Sequence, residues 1–216
     1  MPGKFLVTGT GRSGTVFLTQ ALRDAGVRTG HESVYTRHGY RPRNWTRWEG
    51  DSSWMALPVI AIGVPRPEYM VHVVRDPRKV IASRYEVGLS RPVDEPVMRM
   101  WRDDLRYKVS NTEDPEVMFD WACRLWCGLV DVAEEFSDIT LRIEDLSRDL
   151  ATAELLLRAI GREGTDPTPF VTTPKNVNHS QSWHDRGILK APPGGFAWDD
   201  LPTEVQERAT MLGYTP

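Results

Sequence analysis

The chain has 216 residues, 40% of them hydrophobic and 26% charged, with a formal net charge of −3 at pH 7. That balance predicts one soluble domain with a packed core. It excludes a globally basic nucleic-acid binder, so any anion site must be built locally, and no apolar run approaches the ~20 residues that span a bilayer.

Met-Pro-Gly-Lys leads straight into a strand-like run, without the apolar stretch and cleavage site of a secretory signal, so a cytoplasmic protein is expected. Phe5 to Thr8 reads as a buried strand followed by a Gly-rich turn. Ser13 to Ala25 reads as a helix, because Val16, Phe17, Ala21, Leu22 and Ala25 recur at helical spacing and Gly26 is a good stop. Val27 to Thr29 is a short second strand, and such a β-loop-α-β unit implies a parallel sheet. Residues 31–57 are rich in Arg, Trp, Gly and Ser and carry no clean period. A loop of that length is functional or disordered, and Trp45, Trp48 and Trp54 argue against disorder. Leu57 to Val64 is apolar and fits either a strand or a buried helix.

Met70 to Val74 predicts a strand, and Asp76-Pro77 a helix start with Asp as N-cap and Pro at the first helical position. Pro96 to Tyr107 and Pro115 to Phe136 read as helices. The second holds both cysteines, Cys123 and Cys127, beside Trp121, Leu125 and Trp126; they are expected to be reduced, partly buried thiols, since further metal ligands are missing nearby. Ile139 to Ile143 is another strand, and Leu150 to Ile160 a helix ended by Gly161. Residues 162–198 are rich in Pro, Gly, Asn and His and read as irregular. Thr203 to Leu212 is a last helix, with Thr203 as cap and Gln206 at capping-box spacing.

The opening turn admits three readings. Gly9-x-Gly11-x-x-Gly14 fits the dinucleotide fingerprint, and Glu32 lies near the end of the second strand, where a ribose-binding acid would sit. No Tyr-x-x-x-Lys pair follows. The P-loop pattern G-x-x-x-x-G-K-[ST] fails after Gly14, where Thr15 and Val16 replace the lysine and the Mg²⁺-binding hydroxyl. In the third reading Arg12 supplies a cation from inside the loop, and Ser13, Gly14 and Thr15 open the helix. Free N–H groups, helix dipole and guanidinium then cradle one phosphate.

"VTGTGRSGTVFL" (Val7 to Leu18) resembles the 5′-phosphosulfate-binding loop of the sulfotransferases that use 3′-phosphoadenosine 5′-phosphosulfate (PAPS). "VVRDPRKVIASRY" (Val73 to Tyr85) is similar to that family's 3′-phosphate motif, and "LRIEDL" (Leu141 to Leu146) to its late strand and acidic turn. The resemblance implies a single three-layer α/β domain over residues 1–216, with a P-loop-type parallel sheet flanked by helices. Acceptor-side inserts would fall at 31–65 and 85–115, and a late donor-side loop at 162–198. It implies that Thr10, Gly11, Arg12, Ser13, Gly14, Thr15 and Val16 wrap the 5′-phosphate, that Phe17 stacks on adenine, and that Arg75 and Ser83 hold the 3′-phosphate. Arg suits bidentate phosphate contact, and Arg75 ends a strand where open α/β sheets bind ligands. Arg75 and Arg78 each have an ordinary alternative as surface ion-pair partners, and Ser83 as a plain helix serine.

The implied activity is transfer of a sulfuryl group from PAPS to a hydroxyl or amine of a carbohydrate or other small acceptor, releasing 3′,5′-adenosine bisphosphate (PAP). No metal, nucleic acid or membrane is implied. Family members that resemble this chain carry Glu after the second strand, which favours Glu32 as general base, with His31 as the alternative. A further 3′-phosphate clamp would come from Lys175, Asn176, Asn178, Arg186, Gly187 or Lys190, with Arg186 and Lys190 preferred. Arg37, His38, Arg41, Arg43 and Arg47 alternate with Tyr35, Tyr40, Trp45 and Trp48, which suits a sugar or phenol acceptor, or a packed aromatic subdomain. The alternatives are an NAD(P)-binding Rossmann-type oxidoreductase and a kinase-like or non-catalytic P-loop protein.

Overall fold

Phe5–Thr8 (β1) is buried along its whole length, as a strand covered on both faces must be. The structure, a computed structural model, describes residues 4–36, 38–87, 114–174 and 190–216. After β1 come helix α1 (Thr15–Asp24), β2 (Thr29–His31), a hairpin of β3 (Tyr35–Thr36) and β4 (Gly39–Tyr40), a 3₁₀ turn (Pro42–Thr46), β5 (Gly50–Ser52) and α2 (Ala56–Ala61). Strand β6 (Tyr69–Val74) and α3 (Pro77–Val87) follow. The described remainder holds α4 (Pro115–Phe136), β7 (Ile139–Arg142), α5 (Ile143–Leu146), α6 (Leu150–Ala159), α7 (Thr168–Thr172), a 3₁₀ turn (Trp198–Asp200) and α8 (Thr203–Met211). The helix expected over Pro96 to Tyr107 lies outside the described residues.

Five strands form one parallel sheet in the order β2-β5-β1-β6-β7. Side chains alternate across it. Phe5, Val7, Val71 and Val73 pack with α1 and α6, while Leu6 and Met70 pack with α2 and α4 on the other face. This is the expected three-layer, P-loop-like α/β architecture. The order is neither the Rossmann one nor the flavodoxin one, in both of which the second strand lies against the first. Here β5 stands between them. Among the described residues, no helix is long and apolar enough to cross a membrane.

Three expectations change. Gly50-Asp51-Ser52, read as loop, is a buried strand of the central sheet, so the segment 31–65 is not one insert. It carries no apolar period because its side chains make polar contacts or are missing. Ser52 Oγ donates to Thr15 O at 2.9 Å, and a Cβ on Gly50 would overlap the Phe5 ring. The second strand begins at Thr29 rather than Val27, which makes His31 its last residue. Helix α8 starts after Pro202 with no side-chain cap; Gln206 Nε2 donates instead to Leu201 O (2.7 Å) and Trp198 O (3.2 Å). The ambiguous apolar run at Leu57 is helix α2. Cys123 and Cys127 are free and buried, and burial pushes both thiols up to about 12.

His72 sits in the middle of β6 with no exposed surface. Its Nδ1 lies 3.4 Å from Thr140 Oγ1, and its Nε2 has no hydrogen-bond partner among the described residues. Burial pushes its pKa down from 6.5 to about 3. A depressed folded pKa means that the unfolded chain takes up the proton first. The resulting stability is whole above pH 6.5 and drains away as pH falls toward 3, at up to ~1.4 kcal/mol per pH unit. Chemical denaturation at pH 7 and pH 5 is expected to show this loss, and His72→Met is expected to shrink it. An unchanged acid slope in the variant would count against the assignment.

Candidate functional site

The loop between β1 and α1 is shaped by its own hydroxyls. Thr10 N donates to Ser13 Oγ at 3.1 Å, and the two side-chain oxygens are 2.8 Å apart, both residues being buried. Thr8 Oγ1 donates to Ser53 O at 2.8 Å and ties the loop's root to the end of β5. Gly11 and Arg12 take positive φ (66° and 64°), and Gly14 (φ 93°) precedes α1 with no side-chain cap. The first N–H groups of a helix have no intrahelical partner, and the dipole there favours an anion.

Arg12 turns its guanidinium toward α3. Its Nε donates to Ser83 Oγ at 2.8 Å, and Arg75 Nη1 donates to Arg12 O at 3.2 Å. Three residues drawn from two motifs more than sixty positions apart thus meet at the carboxyl edge of β1 and β6. Burial, and then the Arg75 charge, lower the Arg12 pKa, while Glu86 opposes them. A bound anion would offset the unfavourable effect of the Arg75 charge on Arg12.

Arg75 is held by the turn around it. Arg78 N donates to Asp76 Oδ1 at 3.0 Å, so Asp76 caps α3 as expected. The Arg78 guanidinium grips both Asp76 oxygens at 3.0 Å, which makes Arg78 an ion-pair partner rather than a ligand. Asp76 N donates to Glu144 Oε1 at 3.2 Å, and Tyr214 Oη donates to Glu144 Oε2 at 2.9 Å. The acidic turn of "LRIEDL" therefore fastens the chain's last residues to the turn that carries Arg75.

His31 and Glu32 stand across β5 from the loop. His31 Nε2 lies 3.3 Å from Thr15 Oγ1. Burial, and then Arg23, lower the His31 pKa, so the ring is neutral at pH 7. Glu32 N donates to Ser52 O at 3.1 Å, and Glu32 has φ 48°. Among the described residues, Arg12 and Glu32 are the two non-glycine residues with positive φ. Such strain costs about 1–3 kcal/mol per residue and persists only where the surroundings enforce it. Asp51 enforces it at Glu32. Its carboxylate accepts from Ser33 N (3.0 Å), Val34 N (3.0 Å) and Tyr35 N (2.9 Å) with no exposed surface. Burial raises the Asp51 pKa against those hydrogen bonds.

Some expected site residues are elsewhere. Phe17 is 4% exposed and packs in the core between α1 and the sheet, so it offers no face to an adenine. Thr15 is buried beside it and Val16 is half-buried. Tyr35, Tyr40 and Trp45 pack on one another, with Tyr35 ring centroids 5.2 Å from Tyr40 and 6.1 Å from Trp45. Trp48 lies between the Arg23 and Arg47 guanidiniums at 5.2 and 5.0 Å. These aromatics pack as a subdomain against the core, with Tyr40, Trp45 and Trp48 half-buried; Arg41, Arg43 and His38 are exposed, and Arg37 is outside the described residues.

Lys175, Asn176, Asn178, Arg186 and Gly187 also lie outside the described residues. Lys190 is exposed where the late segment rejoins the fold. Ala191 N donates to Glu86 Oε1 at 3.3 Å, and the Phe196 ring meets Tyr85 (5.4 Å) and Phe119 (4.5 Å). The segment after Lys190 therefore docks on α3, the helix that carries Ser83.

Sequence reasoning missed Asp51, Trp54 and Arg84. The Arg84 guanidinium stacks on Trp54, 4.2 Å from the ring centroid, directly beside Gly11. Only adjacency to Ser83 could have pointed to Arg84. Among the described residues no group of three or more His, Cys, Asp or Glu is arranged to hold a metal ion. No protein-family model matches the chain, and no curated protein matches it either.

Proposed function

We propose that the protein is a cytoplasmic PAPS-dependent sulfotransferase. The contact among Arg12, Arg75 and Ser83 carries this reading. It ties a single-phosphate cradle to a second guanidinium and to a helix hydroxyl, and a donor with phosphates on both the 3′ and 5′ oxygens of its ribose needs such a second set of donors. The dinucleotide alternative is disfavoured by sheet order, because β5 separates Glu32 from the Gly-rich turn. A ribose-binding acid sits on the strand next to the first one.

In this mechanism the acceptor oxygen or nitrogen attacks sulfur in line with the bridging oxygen of the donor. The new bond to sulfur forms as the sulfur–oxygen bond to the 5′-phosphate breaks, and that electron pair leaves on the phosphate of PAP. Arg12 and the N–H groups at the start of α1 offset the charge that collects on the leaving phosphate. Glu32 takes the acceptor's proton, and the strained turn fixes the backbone from which its side chain departs. His31, neutral and hydrogen-bonded to Thr15, orients the loop and stands as the alternative base. The acceptor is a hydroxyl or amine of a carbohydrate or other small molecule.

Transfer of labelled sulfate from PAPS to a panel of glycans and phenols tests the reading. The wild type is expected to label at least one acceptor. Glu32→Gln is expected to keep PAP affinity and lose ~10²–10⁴-fold in turnover, the usual contribution of a general base. Near-normal turnover in that variant would move the base to His31.

A further inference from the structure

Trp54 and Arg84 approach the opening loop from opposite flanks. Trp54 follows β5, on one side of β1, and Arg84 stands on α3, beyond β6 on the other. The Arg84 guanidinium carbon is 4.2 Å from the Trp54 ring centroid, and both side chains are half-buried. The pair lies against Gly11 of the loop. A Cβ on Gly11 would collide with Arg84 Nη2 and come within 3.0 Å of Trp54 Cδ2. At φ 66° glycine sits without strain, and any side chain at position 11 would have to displace the Arg84 guanidinium.

The Arg84 guanidinium therefore stands beside Gly11, in the loop that follows the carboxyl end of β1. On one side of it stand Ser83, Arg75 and Arg12; on the other, past β5, stand His31 and Glu32. An in-line transfer passes its sulfuryl group between those two sides. Stacking on indole engages the face of a guanidinium and fixes its plane, whereas anions are bound by its edge.

We propose that Arg84 is a further catalytic residue, contacting the non-bridging oxygens of the sulfuryl group in flight, and that Trp54 is its positioning residue. The inference rests on the sulfuryl-transfer reading. Arg84 gains and loses no proton. It stabilises charge that shifts onto those oxygens in the transition state, so its effect falls on turnover and not on donor binding.

The test measures kcat and KM for PAPS with an acceptor that the wild type labels, and PAP affinity by calorimetry, for wild type, Arg84→Gln, Arg84→Lys, Trp54→Leu and Trp54→Phe. Arg84→Gln is expected to lose ~10²-fold in kcat with PAP affinity unchanged, and Arg84→Lys to recover part of it. Trp54→Leu is expected to lower kcat with KM preserved, and Trp54→Phe to restore it, since a phenyl ring can still carry the cation. Normal kcat in Arg84→Gln overturns the inference. So does a loss of PAP affinity equal to the loss of kcat, which would make Arg84 a donor-binding residue. If Arg84→Gln fails to fold, a folded Arg84→Lys with wild-type kcat and kinetics insensitive to Trp54→Leu overturns it equally. A wild type that neither binds PAP nor transfers sulfate contradicts the sulfotransferase reading itself, and the inference with it.

Discussion

Arg12→Ala is expected to lower sulfuryl transfer by ~10²-fold or more, the scale on which loss of one oxyanion donor acts. The residue sits in the loop between β1 and α1 with φ 64°, is partly buried, and donates to Ser83 Oγ at 2.8 Å. Its charge is held there against desolvation and against Arg75, and an anion relieves both. Alanine keeps the strained backbone and removes the cation. Turnover should therefore fall further than stability, as PAPS kinetics beside a denaturation curve will read. Arg12→Lys keeps the charge but not the planar donor fork, and an intermediate loss is expected. Full activity in Arg12→Ala would remove the loop from the chemistry.

The largest stability effect is expected at Asp51. Its carboxylate accepts three backbone N–H groups at 2.9–3.0 Å in a site closed to solvent. Leaving a buried donor unsatisfied costs about 1–3 kcal/mol, so Asp51→Ala should cost on the order of 3–5 kcal/mol after partial relaxation. Asp51→Asn keeps one acceptor oxygen and turns an N–H₂ toward the remaining donors, so it should fall between. Chemical denaturation measures both, and a loss below ~1 kcal/mol in Asp51→Ala would show that water satisfies the turn. Because Asp51 holds residues 33–35, the same variant should also slacken Glu32 and lower turnover.

Continuous apolar runs and good stop signals were legible in the sequence. Phe5–Thr8 and Pro115–Phe136 stand where the pattern puts them, since β1 is buried on both faces and α4 is framed by Asp114, which caps it, and by Ser137. Strand β5 was not legible, because Gly50, Asp51 and Ser52 belong to the sheet through close approach and hydrogen bonds rather than apolar burial. At Phe17 helical spacing and family resemblance pointed in different directions. The spacing was right, for Phe17 lies on the same buried face as Ala21. Arg12, Arg75 and Ser83 could be found from motifs because each lies in a short run tied to one strand-to-helix unit, Arg12 in the loop after β1, Arg75 just past β6 and Ser83 two turns into α3. Asp51 holds the backbone of residues 33–35, and Trp54 meets Arg84 from the other flank of β1; both are contacts between distant segments, which no local pattern encodes.

A crevice built for a nucleotide with phosphates on both its 3′ and 5′ oxygens should be stabilised selectively by PAP, which thermal melts with PAP, with ATP and Mg²⁺, and with NAD will compare. A ligand at 100 times its Kd stabilises by about 2.7 kcal/mol, so PAP is expected to raise the Tm by several degrees while the other two leave it unchanged. Selective stabilisation by NAD, or by ATP with Mg²⁺, would contradict the account.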